Sequence, residues 1–214
     1  ADTDLGKLGM MICWDYAHPE LWQRYAGQID ALVMMSCPPD VTTMNMTLPD
    51  GSTLMTSNRS LYYTGADEPF GDDLNQQAGW LSVPLVNSTG AGKLRTEVPS
   101  PYLSMLGGLI DRPDLLSRLG EAPTLKIETG YIAQAKVVDA SGKVVSRVTA
   151  DGDGFVLGEV TLADQPPQPT AEQPPIPMTP LSYIYSDVAL PLITMPLYRQ
   201  GYRRQFGEQF APLD

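Results

Sequence analysis

Two cysteines and a single histidine are all that the 214 residues supply of the side chains best suited to transition metals. Two Cys cannot build a disulfide framework, and two Cys with one His make a poor zinc site, so no metal is expected. Basic residues are scarce as well: 14 Lys and Arg stand against 25 Asp and Glu, a net charge of −11. A chain this acidic is repelled by a phosphate backbone, which excludes nucleic acid as a partner. No apolar run approaches the roughly 18 residues that a membrane span needs. The opening ADTDLGKLG is polar and lacks the apolar core of a secretory leader, so the expected location is cytoplasmic. AGKLR at 91–95 lacks the glycine spacing of a phosphate-binding loop, and no cofactor is implied.

What is present fits a folded, loop-rich chain. Hydrophobic residues make up 43% and charged residues 18%, which argues against wholesale disorder, while 19 Gly and 20 Pro argue against long helical bundles. Residues 7–13 (KLGMMIC) and 29–36 (IDALVMMS) read as buried strands. Between them Pro19 and Glu20 suit the first turn of a helix that Gly27 can end. Strand, sharp elbow, helix and strand make a βαβ-like unit, so the expected fold class is α/β, a sheet covered by helices. Residues 40–80 and 91–126 read as long irregular excursions of the kind that serve as lids or binding loops, and Trp80, Tyr62 and Tyr63 either line a lid or simply pack the loops. Short helices are expected near 76–80 and 114–119 and a strand over 81–87. Residues 131–148 read as a hairpin turning at Ala140-Ser141-Gly142, with GFVLGEVTL (154–162) as a third strand. Seven prolines among residues 165–180 mark a linker or extended arm. The tail 181–214 reads as an amphipathic helix interrupted by Pro191 and Pro196, with a basic cluster at Arg199, Arg203 and Arg204. The expected division is therefore 1–164, a linker over 165–180, and a C-terminal arm over 181–214.

Cys13 sits where the first strand meets the elbow. A thiol there lies beside unpaired backbone N–H groups, which favour the thiolate, and the N–H of Trp14 could meet an oxyanion forming on an attacked carbon. The competing reading is that Cys13 is a small buried hydrophobe closing a strand. Asp15 more plausibly caps the turn than takes part in proton transfer. Cys37, just past the second strand, either lines a pocket opposite Cys13, packs, or forms a redox pair with it. His18 is either a pocket residue or a surface residue at the helix start. Asn87 and Thr89 end a strand near the same edge and are candidates for substrate contact.

The stretch GKLGMMICWDYAHPELWQRYAGQIDALVMMSCPP resembles the nucleophile region of the nitrilase superfamily, the carbon–nitrogen hydrolases. The matching residues are Gly6, Gly9, Cys13, Trp14, Asp15, Pro19-Glu20, Gly27, Asp30 and Ser36. PLVNSTG (84–90) and the hairpin region 130–164 resemble later blocks of that family more loosely. The resemblance implies an α-β-β-α sandwich, here its C-terminal part with long loop insertions and a C-terminal arm. It also implies a Glu–Lys–Cys triad in which Cys13 forms a thioester-type intermediate with an amide or nitrile substrate. No metal or organic cofactor is implied.

The same resemblance places Glu and Lys before the Cys in the chain. Only Lys7 precedes Cys13, about 20 Å back along the same strand, and no Glu does. His18, and Gln76, Gln77 and Ala78 ahead of the PLVN strand, also depart from the family pattern. The expectation is a cysteine-dependent hydrolase of non-peptide carbon–nitrogen bonds, amide rather than nitrile. Its missing strands would come from an upstream segment, a partner chain or a homo-oligomer. The alternatives are a non-catalytic scaffold of the same fold or an N-acyltransferase of the same superfamily. For the basic, aromatic C-terminal arm, packing on protein is favoured over contact with a membrane surface.

Overall fold

The apolar run after Gly6 does form a strand. The computed structural model of the chain describes residues 1–40, 43–54, 63–65, 69–98, 100–109, 112–149 and 152–207. Tyr62 and Asp151 lie outside the described residues. In chain order the strands are β1 (Asp2–Thr3), β2 (Gly6–Ile12), β3 (Ala31–Ser36), β4 (Asn45–Thr47), β5 (Thr53–Leu54), β6 (Leu85–Thr89), β7 (Lys93–Glu97), β8 (Lys126–Gly130), β9 (Lys136–Val138) and β10 (Val144–Arg147). The α-helices are α1 (Pro19–Tyr25), α2 (Asp72–Leu81), α3 (Pro101–Gly108), α4 (Pro180–Tyr183) and α5 (Leu190–Phe206). The chain divides into two compact units. The first comprises Ala1–Met44, Thr64–Arg95 and Glu128–Pro177; the second comprises Asn45–Tyr63, Thr96–Ile127 and Met178–Asp214.

The first unit is mixed α/β. Its six-stranded sheet runs β1-β2-β3-β6-β9-β10. The centre, β2-β3-β6, is parallel, and the flanking pairs are antiparallel. Parallel pairing requires crossover connections, and Pro19, at the first turn of α1, starts one of them. Because side chains alternate across a strand, the register sorts them into two sets. Met11, Leu32, Met34, Leu85 and Val138 are buried on the side that carries α1 and α2. On the opposite side Met10, Ile12, Met35 and Val86 are 50%, 61%, 39% and 47% exposed. That row is an apolar sheet face left in solvent, of the kind soluble chains ordinarily cover.

Gly9 sets how closely α1 approaches the sheet. A Cβ at this position would lie 2.8 Å from Ile29 and 3.2 Å from the Tyr25 ring. The Ile29, Leu32 and Tyr25 side chains take that space instead, and the Tyr25 hydroxyl donates to Met10 O at 2.6 Å. The hairpin β9-β10 turns where expected. The Asp139 carboxylate accepts from the N–H groups of Ser141 (2.9 Å) and Lys143 (3.0 Å), and Gly142 supplies a φ of +84°.

The third strand expected over 154–162 is absent. Phe155 and Leu157 are 84% exposed, and the segment pairs with no strand. Gly158 explains why, since a Cβ there would come within 3.0 Å of Val137 and Ser146, a cross-strand pair. The segment thus lies over the face of the hairpin rather than along its edge. The proline-rich residues that follow run as an extended strap against α1 and α2. Trp80 Nε1 donates to Ala171 O (2.9 Å), Gln77 Nε2 to Pro174 O (2.7 Å), and Gln173 Nε2 to Gln77 Oε1 (3.0 Å). Trp80 therefore anchors the strap rather than lining a lid.

The second unit gathers most of the two excursions read as irregular loops. Met46, Leu48, Leu54, Val98, Met105, Leu115, Ala122 and Leu125 form its buried core. The helix expected near 114–119 is a run of 3-10 turns, Pro113–Thr124, and the α-helix of this stretch is α3. Arg118 holds the turns together through Asp50 (2.7 Å) and Glu121 (2.6 Å). Tyr63 is buried and bridges to Met178. The tail is helical through both prolines. A π-helical stretch, Ile184–Ala189, widens the coil directly ahead of Pro191, which relieves the clash of its ring with the preceding turn. No helix among the described residues is long and apolar enough to cross a membrane.

The close approach of α1 predicts that Gly9→Val lowers stability by about 1–3 kcal/mol, as overpacking does. Urea denaturation followed by circular dichroism measures it, and an unchanged midpoint would contradict this account of Gly9.

Candidate functional site

β2 ends at Ile12, and the chain leaves the sheet at Cys13 with φ +48°. This left-handed conformation is uncommon for a residue with a Cβ and costs of order 1 kcal/mol or more. The sharp elbow expected here is present, and the helix opens at Pro19 as expected. Cys13–Ala17 is a five-residue 3-10 turn. Asp15 makes the turn tight. Its Oδ2 accepts the Ile12 N–H at 2.9 Å, and its carbonyl accepts the His18 N–H at 3.2 Å. Asp15 is thus occupied with the backbone. The elbow rests on the left-handed Cys13 and the Asp15 clamp, not on the end of a long helix.

The parallel register aligns Ile12 with Met35 and Met35 with Ser88. Cys13, the Ser36–Cys37 step and the Thr89–Gly90 step therefore fall together past the carboxyl ends of neighbouring strands, the usual place for a ligand crevice in parallel sheets. Cys13 is half-buried, and both cysteines are free thiols. Cys37 is exposed rather than packed into the core. Its Sγ occupies the space a Cβ at Gly90 would need, and together with burial the thiol raises the pKa of Tyr131.

Trp14 and His18 pack on one another at either end of the elbow. Their rings meet edge to face, with centroids 5.9 Å apart at 89°. His18 Nδ1 lies 3.5 Å from Glu20 Oε1. Asn87 faces the buried side of the sheet: its amide donates to Gln134 O at 2.7 Å, while Thr89 Oγ1 accepts the Gln134 N–H at 3.0 Å. Both residues secure the approach to β9. Lys7, at the far end of β2, is exposed, and its N–H donates to Asp30 Oδ2 at 2.7 Å. No group of three or more His, Cys, Asp or Glu side chains among the described residues is placed to hold a metal ion.

Sequence reasoning missed the buried polar cluster beneath the elbow. Lys136 on β9 is 1% exposed, and its Nζ donates to Phe70 O and Gly71 O, both at 2.7 Å. Burial lowers its pKa to about 8, helped by Arg147 and opposed by Asp73 and Asp72. Asp73, in the first turn of α2, is buried beside it. Desolvation pushes its carboxyl up to about 6, against the lowering effects of the Leu74 N–H, Lys136 and the Tyr16 hydroxyl. Tyr16 belongs to the Cys13 turn, and its ring stacks on Phe70 at 4.2 Å. A lone Lys or Asp in a polar-looking stretch gives no local signal of burial; only the observed pairing of Asn87 with Lys136 brings them here.

Among solved structures, the chain is similar to the crystal structure of a carbon-nitrogen hydrolase from Helicobacter pylori G27. The two share 16% sequence identity with a TM-score of 0.42, over 75% of this chain and 42% of that one. The chain thus spans less than half the length of that structure. A likeness at this level does not lay one chain's residues on the other's. No family model matches the chain, and no curated protein matches it.

The raised pKa of Asp73 has a defined consequence for stability. A carboxyl whose folded pKa exceeds its unfolded value stabilises the fold at low pH, and that contribution fades as pH rises through about 6. Between pH 5 and pH 7 the Asp73 contribution falls by about 1 kcal/mol. Asp73→Asn should remove this part of the pH dependence, read as the change in urea unfolding free energy between the two pH values. An identical pH dependence in the variant and the parent would show that Asp73 is not held protonated by burial.

Proposed function

We propose that this chain carries the nucleophile of a cysteine-dependent hydrolase of non-peptide carbon–nitrogen bonds, with amides as the preferred substrates and Cys13 as the attacking group. The observation that carries the reading is the left-handed Cys13 at the carboxyl end of a central parallel strand. A strained turn of this kind lifts a side chain out of the sheet, as in other nucleophile elbows. The sequence around it, ICWDYAHPE, is the part of the chain most like the nitrilase superfamily.

In the proposed reaction the Cys13 thiolate attacks the substrate carbonyl carbon, and the Trp14 N–H donates to the oxyanion that forms. The carbon–nitrogen bond breaks as the leaving amine takes a proton. A thioester on Cys13 remains, and water releases the acid and restores the thiol. Transfer of the same acyl group to an amine would make the protein an acyltransferase instead; a soluble amine acceptor separates the two. The Glu and Lys of the triad are proposed to come from an upstream segment or a second chain. The exposed apolar face formed by Met10, Ile12, Met35 and Val86 is where such a segment would gain most by burial.

The two thiols provide an internal test. Cys37 is exposed and Cys13 half-buried, so accessibility alone favours alkylation of Cys37. An activated elbow reverses the order: iodoacetamide should label Cys13 faster than Cys37 in the native protein near neutral pH, and the preference should vanish in denaturant. Peptide mapping by mass spectrometry reads both sites at once. Labelling of Cys37 ahead of Cys13 in the native protein would sink the nucleophile reading.

A further inference from the structure

Two buried residues of the first unit share an unfavourable arrangement that neither the fold nor the proposed reaction explains. Phe70 has φ +65°, a conformation an aromatic residue seldom adopts. Lys136 is an ammonium with almost no contact with water. They meet: Lys136 Nζ donates to the Phe70 and Gly71 carbonyls, both at 2.7 Å. The strained backbone is thus held by two charge-assisted hydrogen bonds. The Phe70 ring in turn lies against Tyr16, tilted by 36° with centroids 4.2 Å apart. Tyr16 is 1% exposed, and its carbonyl accepts the Trp22 Nε1–H at 2.8 Å. Tyr16 sits in the middle of the 3-10 turn that begins with Cys13. A continuous path of packed groups therefore runs from Lys136 through Phe70 and Tyr16 to the cysteine turn.

We propose that Lys136 is a positioning residue for Cys13, fixing the elbow through the Phe70–Gly71 backbone and the Tyr16 ring. The inference rests on the reading of Cys13 as the nucleophile and deepens it. An apolar side chain could fill the same space without the cost of burying a charge. What an apolar side chain cannot do is bond two carbonyls of a left-handed turn. The charged groups facing Lys136 are Asp73 and Asp72 of α2 and Arg147 of β10. Burial leaves the ammonium charged at neutral pH but allows it to lose its proton at about 8. Above that value the bonds to Phe70 and Gly71 lose their charge assistance, so the elbow loosens as pH rises.

The test is the ratio of iodoacetamide labelling rates at Cys13 and Cys37 in the same molecule, followed from pH 6 to pH 9. Both thiols sit in the same molecule, so the ratio cancels what pH does to both alike and reports what is peculiar to Cys13. In the parent protein the ratio should fall as pH rises through about 8. In Lys136→Met, which keeps the apolar stem, it should be lower by about tenfold at pH 7 and flat with pH. Phe70→Leu keeps the two carbonyls but removes the ring that meets Tyr16, and should lower the ratio as well. It serves as the second variant if Lys136→Met does not fold, with circular dichroism as the check. A high, pH-dependent ratio in the parent that neither folded variant changes would overturn the positioning role and leave the nucleophile standing. A parent ratio below one would overturn both.

Discussion

The hydrogen-bonded register that sets Ile12 beside Met35, and Met35 beside Ser88, determines where three parallel strands stop. The two cysteines of the first unit are placed by that ending. Cys13 leaves the sheet one residue beyond the aligned row, and Cys37 and Gly90 leave it on the neighbouring strands. The same register decides which side chains go inside. A slip of one residue in β2 would turn Met11 into solvent and Met10 into the core, and would move Cys13 off the shared edge. The parallel pairing depends in turn on the short crossover through Asp15, Pro19 and α1, and on Gly9, which lets α1 lie close. The elbow is thus a consequence of how the sheet is closed on one side.

Two left-handed non-glycine residues, Cys13 and Phe70, are tied to one another through Tyr16. Backbone strain persists only where neighbouring contacts over-determine it. Here the neighbours are the Asp15 clamp on one residue and the Lys136 ammonium on the other. The polar groups under the elbow, Asp73 and Lys136, carry shifted proton affinities because they are desolvated. Such groups bring a stability cost that an apolar core would avoid. Their position next to the cysteine turn gives that cost a structural counterpart.

Much of the first unit is legible in the sequence because it is built from local signals. KLGMMIC and ALVMMS are apolar runs of strand length, Pro19-Glu20 marks a helix start, and Asp139 with Gly142 marks a hairpin turn. The cysteine at the strand end is legible for the same reason. The residues over 154–162 show where local signals fail: their composition suits a strand, but Gly158 packs on Val137 and Ser146 and takes the segment away from the edge. The second unit was hidden because its core is assembled from two separate stretches of chain, so no window contains its periodicity. Lys136 was hidden because a charged residue in a strand reads as solvent-facing, and its partners Phe70 and Gly71 lie 66 and 65 residues away. The Pro191 helix defied its breaker because the π-helical stretch ahead of it absorbs the ring.

The central claim is that Cys13 can carry an acyl group. The direct measurement is mass spectrometry of the native protein quenched in acid after brief mixing with para-nitrophenyl acetate, followed by peptide mapping. The account predicts an acetyl group on the Cys13 peptide that hydroxylamine removes, as it does a thioester, with little or none on Cys37. Acetylation confined to Cys37 and surface lysines, with Cys13 unmodified, would contradict it.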